Sequence, residues 1–345
     1  DNCDMPDAVV TYVDSDTLLG CGPTFEFTRT FTATATDACG NMATSVSCSQ
    51  TITIEDTTAP AIDMAAMDAT VECDGAGNGG DLTAWLASNG GAAASDACSD
   101  VTWSNDFGAL SDDCGATGMA TVTFTATDDC GNSSSTTATF TIEDTTAPAI
   151  DMAAMDATVE CDGAGNAADL DGWLASNGGA AASDACSDVT WSNDFGALSD
   201  DCGATGMATV TFTATDDCGN SSSTTATFTI EDTTAPAIDM AAMDATVECD
   251  GAGNAADLDG WLASNGGAMA SDACSDVTWS NDYDGLAVDC GATGSTTVTF
   301  TATDDCGNSS STTATFSVED TTAPAFTQVP GDQTSECEEM AYTAL

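Results

Sequence analysis

The most regular pattern in the chain is an alternation of apolar and threonine positions over two neighbouring stretches. Both stretches carry threonine at every second position, and a polar turn over 128–135, built on Gly131 and Asn132, separates them. An alternation of period two with β-branched outer positions predicts two half-buried strands. The apolar positions are Val122, Phe124 and Ala126 in the first stretch and Ala138, Phe140 and Ile142 in the second.

Two shorter stretches predict further strands of the same domain. The stretch VTW contains Val101 and Trp103, and the stretch ATVEC contains Ala69, Val71 and Cys73. Frequent short strands with an inward-facing tryptophan favour a β-sandwich.

One segment, DLTAWLASNGG, has helical rather than strand periodicity. Leu82, Trp85 and Leu86 fall on one face of a helix, Asp81 is in a position to cap its N-terminus, and Gly90 suits the left-handed residue after its C-terminus. Trp85 on the apolar face is expected to fill the core rather than to bind a ligand.

The whole pattern is repeated with a period of 88 residues. The sequence DTTAP recurs at Asp56, Asp144, Asp232 and Asp320, and a period of this length suits a small autonomous domain rather than a solenoid repeat. We therefore predict an all-β chain of tandem β-sandwich domains, disulfide-bonded, with one short helix per domain. Its segments are the C-terminal part of a domain at 1–58 (the head), complete domains at 59–146, 147–234 and 235–322 (the first, second and third repeats), and the N-terminal part of another at 323–345 (the tail).

The charge is extreme and excludes several functions. The chain has 57 acidic residues, one cation (Arg29), and neither lysine nor histidine. Such a surface repels nucleic acid and anionic membranes, and it needs dissolved or bound cations to limit its self-repulsion. Without histidine or lysine there is no ordinary catalytic base, and the carboxylates recur alike in every repeat, so no enzyme is expected. No apolar run is long enough to insert into a membrane.

The 17 cysteines fall four to a repeat. Neither a CxxC pair nor a histidine is present, so zinc is disfavoured and a disulfide framework in an extracellular setting is expected. If the Val101 strand runs antiparallel to the Val122 strand, Cys98 and Cys130 lie at one end of the sandwich. That leaves Cys73 with Cys114, which is one of three possible connectivities. The equivalent predicted pairs are Cys186–Cys218, Cys161–Cys202, Cys274–Cys306 and Cys249–Cys290.

The two ends match complementary parts of a repeat. Residues 1–58 match its later part and residues 323–345 its opening. Neither can close a sandwich alone, because each would leave strand edges exposed. The tail of one copy is therefore expected to complete the head of the next, either by continuity in a longer chain or by strand donation between filament subunits. The expected pairs are Cys3–Cys39 within the head and Cys21 with Cys337 of the preceding copy, which leaves Cys48 without a partner.

The motifs TATDDCGN, FTIEDTTAP, VECD and SDAC resemble the hyalin-type (HYR-like) immunoglobulin-like (Ig-like) repeat. More closely, they are similar to the tandem repeats of large surface adhesins and gliding-associated proteins of Bacteroidota. The resemblance covers the whole chain and is weaker at the AWLASNGG helix, which a minimal hyalin repeat lacks. It implies an Ig-like fold, secretion to the cell surface, a role in adhesion or as a stalk, and no catalytic residues.

Calcium is the cofactor that the sequence suggests. Hard cations prefer several oxygen ligands from a short loop, and the loop after each VECD offers acids, an asparagine and glycines. The candidate ligands are Asp74, Asn78 and Asp81, then Asp162, Asn166 and Asp169, then Asp250, Asn254 and Asp257. The alternative is that these are turn and helix-capping residues.

A second candidate calcium site lies between domains. Glu143 and Asp144 end one repeat and could meet Asp128 or Asp129, with a proline-stiffened linker and solvated acids as the alternative.

The DTT triplets also resemble a bacterial O-glycosylation context, which would mark Thr57, Thr145, Thr233 and Thr321, and by a similar context Thr17. Asn132 begins an N-glycosylation triplet.

Three functions fit these observations. The first is a structural fibre or cell-surface adhesin stalk of repeated beads that are stabilised by cations. The second is an array of glycan- or protein-binding modules, and the third is a spacer in a large secreted enzyme. Near-identical repeats favour the first, since they suit a repeated mechanical role better than a unique site. A carbohydrate-binding platform needs exposed aromatic residues, whereas the Trp and Phe residues of each repeat fit core positions.

Overall fold

The computed structural model describes residues 7–288, 291–327 and 331. Two compact units divide the chain: the first takes residues from 1–155, 176–194 and 211–225, and the second from 156–175, 195–210 and 226–345. The second repeat therefore contributes to both units. The first repeat lies in the first unit and the third repeat in the second.

The same elements recur every 88 residues. The head contains β1 (Asp7–Asp14), β2 (Leu18–Leu19), β3 (Phe25–Thr36) and β4 (Val46–Ile54). The first repeat contains β5 (Ala61–Met64), β6 (Ala69–Glu72), α1 (Gly79–Ala87), a 3₁₀ turn (Asn89–Gly91), β7 (Ala93–Ser95), β8 (Val101–Asn105), β9 (Gly118–Asp128) and β10 (Ser133–Glu143). The second contains β11 (Ala149–Met152), β12 (Ala157–Glu160), α2 (Ala167–Ala175), a 3₁₀ turn (Asn177–Gly179), β13 (Ala181–Ser183), β14 (Val189–Asn193), β15 (Gly206–Asp216) and β16 (Ser221–Glu231). The third contains β17 (Ala237–Met240), β18 (Ala245–Glu248), α3 (Ala255–Ala263), a 3₁₀ turn (Asn265–Gly267), β19 (Met269–Ser271), β20 (Val277–Asn281), β21 (Ala287–Val288), β22 (Gly294–Asp304) and β23 (Ser309–Glu319).

The main sheet of the first repeat has the strand order β6-β10-β9-β8. The long strands β9 and β10 form the predicted hairpin, in which Val122 pairs with Ala138 and Phe124 with Thr136. The short strand β6 joins the outer edge of β10 in parallel, with Val71 beside Ile142. One face of this sheet therefore carries the apolar residues that the alternation predicted.

A second layer covers that face and closes the sandwich. It consists of the two-stranded sheet β5–β7 together with α1. The Trp85 ring packs 5.2 Å from the Phe124 ring and 5.4 Å from the Phe140 ring, and its indole N–H donates to the Met67 carbonyl at 3.1 Å. The predicted all-β sandwich repeat with one short helix is thus confirmed, and Trp85 fills the core as expected.

The start of the helix was predicted wrongly. Asn78, not Asp81, precedes the first helical residue, and it adopts a left-handed conformation with φ 49°. Asp81 lies in the first turn, where it accepts a hydrogen bond from the Asn78 amide at 3.1 Å. A carboxylate also stabilises the first turn of a helix through the helix dipole, so sequence alone did not separate the two positions.

The head retains the long strands of a repeat without its covering layer. Strand β3 pairs with β1, β2 and β4, in the way that β9 pairs with β8 and β10. The described part of the head has no equivalent of β5, β6 or the helix. Its apolar residues are consequently less buried: Ile54 is 47% exposed, whereas the equivalent Ile142 is 2% exposed.

The predicted disulfide pairing within repeats is wrong. All five disulfides of the described residues join consecutive segments of the chain. Two classes of bond occur. In the first class, a cysteine equivalent to Cys73 in one repeat bonds to a cysteine equivalent to Cys98 in the next repeat. In the second class, a cysteine equivalent to Cys114 in one segment bonds to a cysteine equivalent to Cys130 in the next. The bonds are Cys73–Cys186 and Cys161–Cys274 in the first class, and Cys21–Cys130, Cys114–Cys218 and Cys202–Cys306 in the second.

The physical reason is that the ends of the sandwich face the neighbouring repeat. Cys98 and Cys130 do lie at one end, as predicted, because Val101 pairs with Asp128. The Cys21 turn of the head reaches this end and takes Cys130, so Cys98–Cys130 cannot form. Likewise the Ala116 N–H donates to the Cys186 carbonyl at 2.8 Å, which brings the cysteine-containing loops of two repeats together.

The other cysteine predictions concern Cys21, the free cysteines and the cysteines outside the described residues. The bond from Cys21 to Cys130 excludes the predicted Cys21–Cys337 pair. Cys39, Cys48, Cys98 and Cys249 are free, whereas Cys3, Cys290 and Cys337 lie outside the described residues.

Truncating the core tryptophan of the third repeat should strongly destabilise that repeat. Trp261 is 8% exposed and packs 5.2 Å from Phe300 and 5.5 Å from Phe316. We expect Trp261→Ala to cost about 3–5 kcal/mol, measured by native-state hydrogen exchange in β22 and β23. The control is Met269→Ala, because Met269 is 59% exposed and its loss should change stability by less than about 0.5 kcal/mol. Equal protection in the two variants would contradict the assignment of Trp261 to the core.

Candidate cation site at the repeat junctions

The loop predicted to bind calcium is held by its own hydrogen bonds. Asp74 accepts hydrogen bonds from the backbone N–H groups of Ala76 at 2.7 Å and Asn78 at 3.0 Å, and these bonds lower the pKa of its carboxyl. The Asn78 amide donates to the Glu72 carbonyl at 2.9 Å and to Asp81 at 3.1 Å. The structure therefore brings the three predicted ligands together with the amide nitrogen, a donor, facing Asp81.

The same network recurs in the other two repeats. Asn166 donates to Asp169 at 3.1 Å, and Asn254 donates to Asp257 at 3.0 Å. Asp162 and Asp250 accept the backbone N–H groups as Asp74 does. Calcium binding in these loops stays a prediction, and their geometry also fits the alternative of a turn that starts a helix.

The linker between the first and second repeats is held by hydrogen bonds from the second repeat, unlike the loop around Asp74, which is held by its own. The linker residue Asp144 is held by the turn between β15 and β16, because the Asn220 side chain donates to the Asp144 carbonyl at 3.0 Å. Asn220 also donates to Asp216 at 2.9 Å. A turn of one repeat thus fixes the backbone of the linker that precedes it.

An unsatisfied carboxylate oxygen is buried at this junction. Asp144 is 9% exposed; one of its oxygens accepts the Thr146 N–H at 3.2 Å, and the other, Oδ2, has no partner among the described residues. Oxygen atoms of Asp144 and Asp184 lie within 4.8 Å of each other and of the Cys186 sulfur. Because buried polar groups are nearly always paired, this unpaired carboxylate oxygen is available to carry a proton or to bind a cation.

The electrostatics of Asp144 agree with this geometry. Burial raises the pKa of the Asp144 carboxyl, and the nearby carboxylates of Asp184, Asp216 and Glu72 raise the pKa further. No basic side chain relieves the repulsion, since Arg29 is the only cation of the chain and binds Asp14 at 2.7 Å. The site therefore concentrates negative charge without a protein countercharge.

The arrangement is repeated at the other junctions. Asp232 with Asp272 and Cys274 reproduces it in the second unit, where Asp232 borders a cavity of 360 Å³. Asp56 with Asp96 and Cys98 forms the cluster between the head and the first repeat. Asp56 and Asp232 each also have an unpaired buried Oδ2.

The donor set suits a hard cation better than a soft one. Cys186 and Cys274 are consumed in disulfides, so they offer no thiolate. The carboxylate oxygens of the two aspartates remain, and carboxylates are among the ligands that calcium prefers. Asp144 and Asp184, and in the second unit Asp232 and Asp272, would each supply two of the roughly six to eight oxygen ligands that calcium takes.

The interdomain site was only partly foreseen. Asp144 does lie at a junction of carboxylates, but the aspartates that raise its pKa are Asp184 and Asp216, and Asp216 is the equivalent of Asp128 in the following repeat. Glu143 contributes its backbone carbonyl to the Cys73 N–H at 2.8 Å. The SDAC aspartates were missed as site residues; the signal was that SDAC stands before the Trp strand in every repeat.

The predicted glycosylation residues are held by a glutamate in the complete repeats. Glu72 accepts hydrogen bonds from the hydroxyls of Thr145 at 2.9 Å and Thr146 at 2.7 Å and from the Thr145 N–H at 2.9 Å. Thr233 and Thr321 are bound in the same way. The Thr57 hydroxyl makes no hydrogen bond to another described residue. O-glycosylation stays a prediction. N-glycosylation of Asn132 would remove one of the two amide hydrogens that it donates to the Asp56 carbonyl at 3.1 Å and to Asp128 at 2.8 Å.

No family model matches this chain, and no curated protein matches it. Among solved structures, it is similar to the protocadherin GammaB4 extracellular domain (11% identity, TM-score 0.33, 91% of this chain) and spans 60% of that chain's length. It is also similar to mouse cadherin-23 EC22–24 (13% identity, TM-score 0.26, 76% of this chain and 99% of that chain). A third similar structure is Drosophila N-cadherin EC1–4 (13% identity, TM-score 0.25, 88% of this chain and 85% of that chain). The likeness concerns the fold alone.

Replacing the buried junction aspartates should uncouple stability from calcium. In chelator at neutral pH, Asp144→Asn with Asp232→Asn should raise the melting temperature by at least about 2 °C, the shift that roughly 1 kcal/mol produces in a chain of this size. Millimolar calcium at fixed ionic strength should then stabilise the wild type more than the variant. Asp63→Asn, at an exposed acid outside the junctions, is the control and should respond to calcium like the wild type.

The pH dependence has a definite sign. Because the folded-state pKa of Asp144 and Asp232 is raised, their protonated form favours folding below the unfolded pKa of about 4, and this contribution is lost as pH rises through the folded pKa. The difference between variant and wild type in chelator should therefore shrink as pH falls toward 4. Equal calcium responses of the two proteins, or a difference independent of pH, would contradict the junction site.

Proposed function

We propose that this chain is a structural component of an extracellular fibre or a cell-surface adhesin stalk, built from Ig-like beads of the hyalin-repeat kind and stabilised by cations. The observation that carries the proposal is that its disulfides connect each repeat to the next. A catalytic or ligand-binding module needs a unique site, whereas bonds of this kind serve a chain that transmits force.

The bonds create two covalent paths that bypass most of the chain. One path runs from Cys130 back along the chain to Cys114, across to Cys218, back to Cys202 and across to Cys306. Tension on this path stretches only the short segments between bonded cysteines. Within each repeat this path follows one strand that is already extended, β9 in the first repeat and β15 in the second, and the other elements lie outside the path.

The second path uses the other class of bond. It runs from Cys73 across to Cys186, back along the chain to Cys161 and across to Cys274. Two independent paths mean that the rupture of one bond at a junction leaves the other intact. This redundancy supports a load-bearing role and explains why each repeat has four cysteines.

The surroundings in which such a chain works follow from its bonds and charge. Stable disulfides require an oxidising compartment, which supports an extracellular location. The acidic surface and the unpaired junction carboxylates support a cation-rich medium, in which bound calcium would stiffen each linker. Among the described residues, no helix has the length and apolarity needed to cross a membrane.

Force spectroscopy on the oxidised chain tests the proposal. Since Cys130 follows Cys114 by 16 positions, each repeat should reach a length of at most about 60 Å at about 3.6 Å per residue. After reduction and alkylation, the 88 residues of each repeat should extend to about 300 Å in separate unfolding events.

The control is the chain alkylated without reduction, which blocks the free cysteines and should keep the short extension. Extensions of about 300 Å per repeat before reduction would contradict the two-path arrangement and with it the proposed mechanical role.

A further inference from the structure

Methionine occupies the surface of this protein and not its core. The buried hydrophobic residues of the described chain include no methionine, although methionine is ordinarily among the residue types most often buried. In the three repeats, each methionine side chain is between 47% and 59% exposed. The first repeat has Met64, Met67 and Met119, the second has the three equivalents, and the third has Met240, Met243 and Met269.

No other large apolar side chain is exposed in the described part of these repeats. Their leucine, isoleucine, valine, phenylalanine and tryptophan side chains are buried or half-buried. An apolar contact surface would be served equally by leucine, which has nearly the volume of methionine. The exclusive use of methionine therefore points to the chemistry of its sulfur rather than to apolar area.

The number of exposed methionines is the same in each repeat, but one position differs. Ser295 of the third repeat stands where the first repeat has Met119, and Met269 stands where the first repeat has Ala93. Met119 lies in β9 of the main sheet, whereas Met269 begins β19 of the small sheet. A docking surface depends on where its residues lie, whereas a capacity to react depends on how many there are. The exchange therefore favours a reaction over a docking surface.

The fold tolerates a change at these sulfur atoms. Oxidation of methionine to its sulfoxide makes an apolar side chain polar and disrupts cores that contain it. The core of the third repeat is formed by residues such as Leu258, Trp261 and Phe300, without methionine. Met243 accepts the Trp261 indole N–H at 3.0 Å through its backbone carbonyl, and oxidation at sulfur leaves that bond intact.

The disulfides and tryptophans are less tolerant of oxidation. Disulfides of the second class are only half-buried, as at Cys114 and Cys218, and Trp103 is half-buried too. Strong oxidants break disulfides and attack indole rings. The polarisable thioether sulfur of methionine is a better nucleophile than a disulfide sulfur or an indole ring, so exposed methionines react first.

We propose that the exposed methionines of the repeats are modification sites for neutral two-electron oxidants such as hypochlorous acid. They form a sink that consumes the oxidant before it reaches the disulfides and tryptophans. The oxidant is neutral because the acidic surface repels anions such as hypochlorite. This function is additional to the proposed stalk function and does not rest on it.

The reaction converts one thioether to a sulfoxide for each molecule of hypochlorous acid. The sulfur attacks the chlorine atom, the Cl–O bond breaks, and hydroxide leaves. Hydroxide then bonds to the sulfur of the chlorosulfonium ion, the S–Cl bond breaks, chloride leaves, and the hydroxyl proton passes to the solvent. The sulfur loses two electrons and the chlorine gains them. Methionine sulfoxide reductases restore the thioether.

Titration of the full chain with hypochlorous acid tests the proposal, after the free thiols are blocked with N-ethylmaleimide. In the wild type, mass spectrometry should show methionine sulfoxides before disulfide-linked peptides disappear and before tryptophan fluorescence falls. A variant with Met→Leu at all nine positions of the repeats keeps three of the 12 methionines. Its disulfides and tryptophans should be lost at a dose about fourfold lower, because the capacity follows the number of thioethers. A second variant, with Met→Gln at the same positions, should show the same shift without added apolar surface.

A buried methionine is the matched control. Leu258 is 6% exposed, and Leu258→Met conserves its volume. The introduced side chain should be oxidised at least tenfold more slowly than Met243. In the wild type, oxidation of the exposed methionines should change amide protection in β22 and β23 by less than about threefold.

Four outcomes would overturn the proposal. They are loss of disulfides in both nine-position variants at the wild-type dose, loss of wild-type disulfides before sulfoxides form, a larger change of protection in β22 and β23, and oxidation of the buried control as fast as Met243. None of these measurements applies force, so the proposed stalk function is tested separately.

Discussion

The covalent connection of each repeat to the next is the constraint on which the rest of the structure depends. At the junction of the first two repeats, Cys73–Cys186 and Cys114–Cys218 hold the loops close enough for the Ala116 N–H to bind the Cys186 carbonyl. Gly115, with φ 56°, lies in this contact, and a Cβ there would clash with the same carbonyl. The Cys73–Cys186 disulfide is part of the hydrophobic core, since both cysteines are buried beside Phe140 and Ile142.

Close contact between acidic repeats has an electrostatic consequence. Approaching loops bring Asp144 near Asp184 and Asp216, and burial raises the pKa of Asp144. In most proteins a lysine or arginine would neutralise such a cluster, but here Arg29 is engaged with Asp14. A chain whose one basic residue is already paired takes the countercharges of its junctions from the solvent.

The elements were predictable from sequence, whereas the connections between them were not. The alternation of Val122, Phe124 and Ala126 with threonine fixes the buried face of β9 whatever surrounds it, and Trp85 has only one apolar layer to enter. Cys130 is different, because a partner within the repeat and a partner one repeat away are equally compatible with a periodic sequence. The role of Asp184 was hidden for the same reason, since it appears only when one repeat is placed against the next.

Mapping the disulfides of the oxidised chain tests this account most directly. The free thiols are first blocked, the chain is digested at low pH, and the linked peptides are identified by mass spectrometry. The peptide around Cys21 and the peptide that joins Met269 to Cys274 differ in sequence from their counterparts in other repeats, so their partners can be assigned. The account predicts Cys21 linked to a DDCGN peptide and Cys274 linked to a VECD peptide. A bond from Cys21 to another head cysteine, or from Cys274 to a DDCGN peptide, would contradict it.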